Sequence, residues 1–507
     1  METKKKIHIM DTTLRDGEQT EGVSFSTEEK LSIAKYLLEK VKVDSIEITS
    51  ARIAEDEFTA VKKISRWADS VGKLDKIEVL GFVDNCRSIE WIYKAGARTI
   101  NLLTKGSLRH LENQIRKTKE EHVEDIKKIF KFAEKNDMRI NVYLEDWSNG
   151  MKDSKDYVFY LVENLIQLGV KRIMLADTLG ILDYDKTYEY VKDIKEKFPS
   201  AWFDFHGHND YDISVSNSLA ALKAGANGLH TTINGLGERT GNTKLASLVV
   251  AVNDLSDYMA NIDEKELIPA SKLVETFSGI RIPENMPVVG EHVFTQNCGV
   301  HADGDKKGGL YCTLINPERF GSKRKYSLGK TSGIASIDQN LKEIDLDSDL
   351  TKEQKKLVLE KVKSLAQKKE AISSEDLPLI VADVIGKPAR EKVKILDYEF
   401  RIERGFSPEA RVIIEIEGKE KRGNAIGDGQ YDAFMNAIKR IFEEDDFQVP
   451  ELVDYVVRIP PGGKTSALVE TIITWNTGEK IFKTRGVDSD QLLAAIEATI
   501  KMLNILN

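Results

Sequence analysis

The sequence predicts an α/β protein: a (β/α)8 TIM barrel, then a helical linker region, then a C-terminal α+β domain. Three observations lead there. Up to about residue 260, short β-like runs alternate with stretches whose apolar residues recur three and four apart. Residues able to do chemistry gather at the C-terminal ends of those runs, where a barrel keeps its active site. From about residue 388 the texture changes to alternating strands punctuated by two helices.

The candidate strands, in order, are IHIMD (7–11), SIEITS (45–50), KIEVLGF (76–82), TINLLT (99–104), RINVYLE (139–145), RIMLAD (172–177), WFDFHGH (202–208) and GLHTTING (228–235). Helical patterns such as EEHVEDIKKIFKFAEKN and YVFYLVENLIQLG separate them. An open doubly wound sheet would instead need a glycine-rich phosphate loop after the first strand. That loop, TTLRDGEQ, holds a single glycine. Two other glycine-rich stretches also fail as phosphate cradles. GLGERTG (235–241) has its third glycine one residue late, and IPPGGKTS (459–466) needs a glycine where Arg458 stands. The first reads as a mobile loop at the barrel mouth, the second as a strand-to-strand turn.

Beyond the barrel, residues 275–335 are dense in glycine and proline and read as a long functional loop region. A charged helix, KEQKKLVLEKVKSLAQKK, follows. The strands expected after it are KVKILDYEFRIE, EARVIIEIEG, LVDYVVRIPP and SALVETIITWN, with helices YDAFMNAIKRIFEE and DQLLAAIEATIKML. Strands leading to a helix, twice, suggest an internal duplication. The expected domains are therefore 1–270, 271–385 and 386–507.

At 507 residues the chain is too long for one ordinary core. A net charge of −9 argues against nucleic-acid or acidic-membrane partners. Three scattered cysteines, Cys86, Cys298 and Cys312, suggest a reducing compartment. No signal peptide is visible, and no apolar run approaches the ~18 residues that cross a bilayer. The expected location is the cytoplasm.

The chemistry centres on FHGHND (205–210). Alternate residues of a strand share a face, so His206 and His208 point the same way and form a natural pair of metal ligands. DTTLRDGEQ (11–19) opens at the same barrel mouth. Asp16 would complete an Asp/His/His set with positions left for water or substrate oxygens, and Arg15 would offer a fixed cation to a developing oxyanion. Glu145, Asp177 and Thr178 end neighbouring strands.

DTTLRDGEQ, FHGHND and NGLGERTGN together resemble the metal-dependent barrel enzymes that include 2-isopropylmalate, homocitrate and citramalate synthases and the hydroxymethylglutaryl-CoA lyases. The resemblance runs through GVHADGDKKGGLY into the C-terminal region, and LTKGSLRHLE, VYLEDWSNG and GDGQYDAF are similar to the citramalate-forming branch. It implies a Claisen-type condensation of acetyl-CoA with pyruvate, giving (R)-citramalate and CoA on a route to isoleucine, with 2-isopropylmalate synthesis from 2-oxoisovalerate or homocitrate synthesis as the alternatives. The implied cofactor is a divalent metal ion (Zn, Mn, Mg or Co), held by Asp16, His206 and His208 with Asn242 nearby. Arg15 would hold the keto oxygen and Thr178 the carboxylate, with Leu80, Leu103 and Tyr143 lining the substrate pocket. Glu145, His301, Asp303 and Tyr311 would form the acid-base group, the last three from a linker that caps the partner's barrel in a domain-swapped homodimer. The C-terminal domain would sense isoleucine through Tyr431, Asp432, Leu452, Tyr455, Ile459 and Val469.

Overall fold

In the computed structural model the described residues are 4–296, 304, 309–343, 350–367, 376–385, 392–416, 418–443, 448–458, 468–479 and 481–506. The chain forms two compact units. One is Met1–Thr295 with Cys312–Lys325, the other Gln296–Tyr311 with Tyr326–Asn507.

The first unit is the expected barrel. Eight parallel strands close in sequence order: β1 (His8–Asp11), β2 (Ser45–Ser50), β3 (Ile77–Phe82), β4 (Thr99–Lys105), β5 (Arg139–Glu145), β6 (Ile173–Asp177), β7 (Phe203–Gly207) and β8 (Gly228–Thr231). Seven of the eight runs match to within a residue at each end. The last strand is four residues shorter than GLHTTING, because Thr232 and Leu245 turn the chain and Ile233–Gly235 winds into a 3-10 turn with Asn234 at φ 58°.

Alternation sorts each strand. Ile100, Leu102, Val142 and Leu144 point outward into the main core with the surrounding helices. The inward residues of β4 and β5 pair in three successive steps: Asn101 with Asn141, Leu103 with Tyr143, Lys105 with Glu145. The first helix, Thr27–Lys35, starts at Ser26, whose hydroxyl accepts from the Glu29 N–H while the Glu29 carboxylate accepts from the Ser26 N–H. That reciprocal cap satisfies two otherwise orphaned donors.

The second unit has two cores. Helices Ile334–Glu343, Lys352–Gln367 and Leu377–Val384 enclose a small one. The other belongs to the duplicated fold. Its first half is the antiparallel sheet β9 (Val393–Arg401), β10 (Glu409–Ile416), β11 (Lys419–Ile426) with helix Gln430–Phe442. Its second is β12 (Glu451–Arg458), β13 (Val469–Asn476), β14 (Ile481–Asp488) with helix Gln491–Leu506. Each half thus gains a third strand that the sequence did not announce. KEKRGNAI and IFKTRGVD are half charged or glycine, and such runs read as loops until a neighbouring strand supplies the ladder. Among the described residues, no helix is long and apolar enough to cross a membrane.

Candidate active site

The loop after β1 winds round one carbonyl. Thr12 C=O accepts from the N–H groups of Arg15, Asp16 and Gly17 at 2.9–3.1 Å, and Asp11 caps the Thr13 N–H at 2.9 Å. This throws Arg15 and Asp16 inward over the barrel mouth. The Arg15 guanidinium donates to Glu47 (2.5 Å), Asp16 (2.7 Å) and the Tyr143 hydroxyl (3.3 Å). Burial alone would raise the Asp16 carboxyl, but Arg15 and the hydrogen bond with His206 hold it well below the usual carboxylate range.

His206 leaves β7 on the same side, its Nε2 3.3 Å from Asp16 Oδ2, and His208 Nε2 lies 4.0 Å from that oxygen. Donor atoms of Asp16, His206 and His208, all buried, lie within 4.8 Å of one another. Burial lowers His208 to about 4, so its ring is neutral at pH 7 and keeps a lone pair. Asn242 donates from Nδ2 to Asp16 (2.9 Å) and to the Leu236 carbonyl (3.0 Å). Among the described residues, its Oδ1, like His208 Nδ1, is buried without a hydrogen-bond partner. Two imidazoles, a carboxylate held ionised and an unsatisfied amide oxygen suit a divalent first-row cation.

GLGERTG does not stand free as a loop. Asn242 N–H returns to the Gly235 carbonyl (3.1 Å) and Thr243 N–H to that of Gly207 (3.2 Å). A Cβ on Gly241 would sit 1.8 Å from the Gly235 oxygen, so the fold-back depends on glycine there. Arg239 leaves this loop to chelate Asp210 (2.7 and 2.9 Å) and to bond the Thr178 carbonyl (2.9 Å).

Leu80, Tyr143, Met10, Met174 and Ala176 form an apolar layer inside the barrel, with Leu103 packed against it. Thr178 Oγ1 accepts from the Asp146 N–H at 2.9 Å, which leaves the hydroxyl proton for another acceptor. Glu145 is ion-paired with Lys105. Arg15, Asp16, Tyr143, His206, His208 and Asn242 are thus brought together, and Leu80 and Leu103 share the apolar layer beneath them. His301 and Asp303 lie outside the described residues. Tyr311 is exposed and belongs to the second unit.

Glu47 was missed, yet it organises the site. It is fully buried and accepts from Thr12 (3.0 Å), Arg15 and Asn101 (2.7 Å). The signal was present in SIEITS, where Ser45, Glu47 and Thr49 share the face opposite Ile46 and Ile48. Below it a second buried cluster joins Arg172 to Glu78 (2.6 Å) and Asp204 (3.2 Å), and His230 to Asp204 (3.5 Å) and Tyr143 (3.2 Å).

Of the expected effector residues, Tyr431 and Tyr455 do meet, with ring centroids 5.3 Å apart, and the Tyr431 hydroxyl lies 2.7 Å from that of Thr499. Asp432 Oδ2 already accepts from the Asp428 N–H at 2.9 Å. Leu452 and Val469 sit at opposite ends of the β12–β13 ladder, since Leu452 pairs with Trp475 and Glu470 with Arg458. Six residues of strand, about 20 Å, separate them. Ile459 lies outside the described residues.

Comparison with known proteins agrees with this architecture. Residues 6–274 match the HMGL-like family, 288–370 the homocitrate synthase post-HMGL domain-like family, and 371–507 the LeuA allosteric (dimerisation) domain. A protein of Archaeoglobus fulgidus provisionally named (R)-citramalate synthase CimA is 34% identical, over 99% of this chain and 100% of its own. A 2-isopropylmalate synthase of Methanocaldococcus jannaschii is 32% identical over 98% of this chain and 94% of its own. Among solved structures, hydroxymethylglutaryl-CoA lyase from Pseudomonas aeruginosa is 20% identical, with a TM-score of 0.46 over 56% of this chain and 96% of that one. The chain thus belongs to the HMGL-like family, in the form that carries a post-barrel domain and a LeuA-type domain behind the barrel.

Proposed function

We propose that the protein condenses acetyl-CoA with pyruvate to give (R)-citramalate and CoA. The observation that carries the choice of oxoacid is the apolar layer of Leu80, Leu103, Met10, Met174 and Ala176 beneath the metal-ligand set. These side chains are apolar, which suits a methyl group better than a second carboxylate, whose unpaired burial would cost several kcal/mol.

A divalent cation held by Asp16, His206 and His208 would supply a Lewis acid at the keto oxygen of the oxoacid. Arg15, fixed by Glu47 and Asp16, presents its guanidinium to the same oxygen and needs no reorganisation as negative charge develops there. The free proton of the Thr178 hydroxyl suits the oxoacid carboxylate. Glu145, with His301, Asp303 and Tyr311 from the segment that follows the barrel, moves the proton from the acetyl methyl group. Hydrolysis of the thioester then makes the reaction irreversible. The LeuA-type domain fits a homodimer, with the linker reaching the partner's site, and fits feedback by isoleucine recognised around Tyr431, Asp432 and Tyr455.

The test is thiol release from acetyl-CoA by the metal-loaded enzyme, with the product identified by mass. Pyruvate should give citramalate. The M. jannaschii relative makes 2-isopropylmalate synthase the second reading, and thiol release with 2-oxoisovalerate but not pyruvate would establish it instead.

A further inference from the structure

Of the third inward step of β4 and β5, only Glu145 has a part in the scheme so far. Lys105 and Glu145 are register partners at the strand ends, directly above Leu103 and Tyr143. Their side chains form an ion pair and are 11% and 20% exposed. A lysine is seldom so deeply buried without a partner that needs it.

The backbone around the pair leaves little freedom. Lys105 N–H lies 3.4 Å from His122 Nε2, the Lys105 carbonyl accepts from the Tyr157 hydroxyl at 2.7 Å, and Gly106 N–H donates to the Glu145 carbonyl at 2.6 Å. A Cβ on Gly106 would come within 2.8 Å of the Glu145 oxygen, so glycine lets the two strand ends lie this close. The other charges nearby are turned elsewhere. Asp146 faces Ser107 (2.6 Å) and His110 (3.4 Å), and Asp177 faces Ser148 (2.7 Å) and the N–H groups of Ile181 and Leu182. Among the described residues, Lys105 is the cation in contact with Glu145.

We propose that Lys105 is a positioning residue for the reaction: its ammonium holds the Glu145 carboxylate in one direction over the proposed oxoacid site. The inference rests on the acid-base role proposed above for Glu145. A flexible carboxylate at a strand end would sample several rotamers, whereas one tied to a backbone-locked lysine is presented in a single direction.

The experiment compares the full-length, metal-loaded wild type with Lys105→Met, Lys105→Arg, Glu145→Gln and the Met/Gln double variant. The readout is kcat and KM for thiol release with pyruvate. Lys105→Met keeps the stem but loses the ion pair that orients Glu145. Its kcat should fall about tenfold or more with KM for pyruvate little changed. Lys105→Arg should restore most of the lost kcat, and the double variant should be no worse than Glu145→Gln alone. A purely structural role would lower the melting temperature of Lys105→Met and leave kcat of the folded enzyme in place. That result, or losses that add in the double variant, would overturn the inference. If Lys105→Met does not fold, Lys105→Gln serves the same comparison. Wild-type turnover by Glu145→Gln would instead overturn the role of Glu145 itself, and absence of thiol release from the wild type would overturn the proposed reaction.

Discussion

Asp16 is the meeting point of the site: it takes a guanidinium hydrogen bond from Arg15, an amide from Asn242, and lies against both histidines. Asp16→Ala or His208→Ala should therefore abolish stoichiometric metal binding and nearly all turnover while the barrel stays folded. Metal analysis and far-UV circular dichroism on the same preparations check this, and a variant with normal metal content and activity would refute the ligand assignment. The buried histidines also set an acid limit. Burial lowers His122 and His230 from 6.5 to about 4, so between those pH values the unfolded chain binds more protons than the native one. Their contribution is complete above pH 6.5 and is lost as pH falls toward 4, up to about 3 kcal/mol for each ring. His122→Gln offers an amide oxygen as acceptor for the Lys105 N–H and should flatten this pH dependence in chemical denaturation of the metal-free protein. An unchanged slope would mean that His122 does not titrate as described. At this scale the ligands were legible because two histidines and an Arg-Asp pair stand at strand ends. Glu47, Arg172 and Asp204 were not, since a charge within a short strand reads as a solvated face until the barrel closes round it.

The elements of the C-terminal unit explain their own duplication. In the first half, a Cβ on Gly423 of β11 would meet the Ala437 carbonyl of helix Gln430–Phe442 at 2.4 Å. In the second, Gly486 of β14 meets the Ala494 carbonyl of helix Gln491–Leu506 at 1.9 Å. Each third strand thus carries a glycine where its helix crosses closest, opposite an alanine. Gly486→Ala should destabilise the domain by about 1–3 kcal/mol or more, because the obstructing atom is backbone and cannot rotate away. Gly429→Ala, with open space at that position, should cost less. Equal denaturation midpoints for the two variants would contradict this packing. The same glycines hid the strands: KEKRGNAI and IFKTRGVD place Gly and several charges in eight residues, so their β character comes from pairing with β10 and β13 and not from propensity. The barrel strands were easier to read, because β-branched and apolar residues dominate their outward faces.

Across the whole chain, a catalytic barrel is followed by a domain of the LeuA type, and the proposed feedback is tested at this scale. If isoleucine binds the C-terminal domain differently in an active and an inactive state, it shifts the balance between them; equal affinity for both would shift nothing. Full-length enzyme should lose rate and gain thermal stability with isoleucine, and a chain ending near residue 385 should lose that sensitivity. Inhibition by leucine in place of isoleucine would count against both effector and substrate. Domain order and barrel closure were legible from strand-helix periodicity, whereas the separation of Leu452 and Val469 along the β12–β13 ladder was not, because the register of two strands is set by pairing. The central claim is that the barrel interior selects pyruvate, and its most direct test is the ratio of kcat/KM for pyruvate and 2-oxoisovalerate at saturating acetyl-CoA. The apolar layer of Leu80 and Leu103 predicts a preference for pyruvate of about 10- to 200-fold for each added methyl-sized group, and comparable or inverted values for the two oxoacids would contradict it.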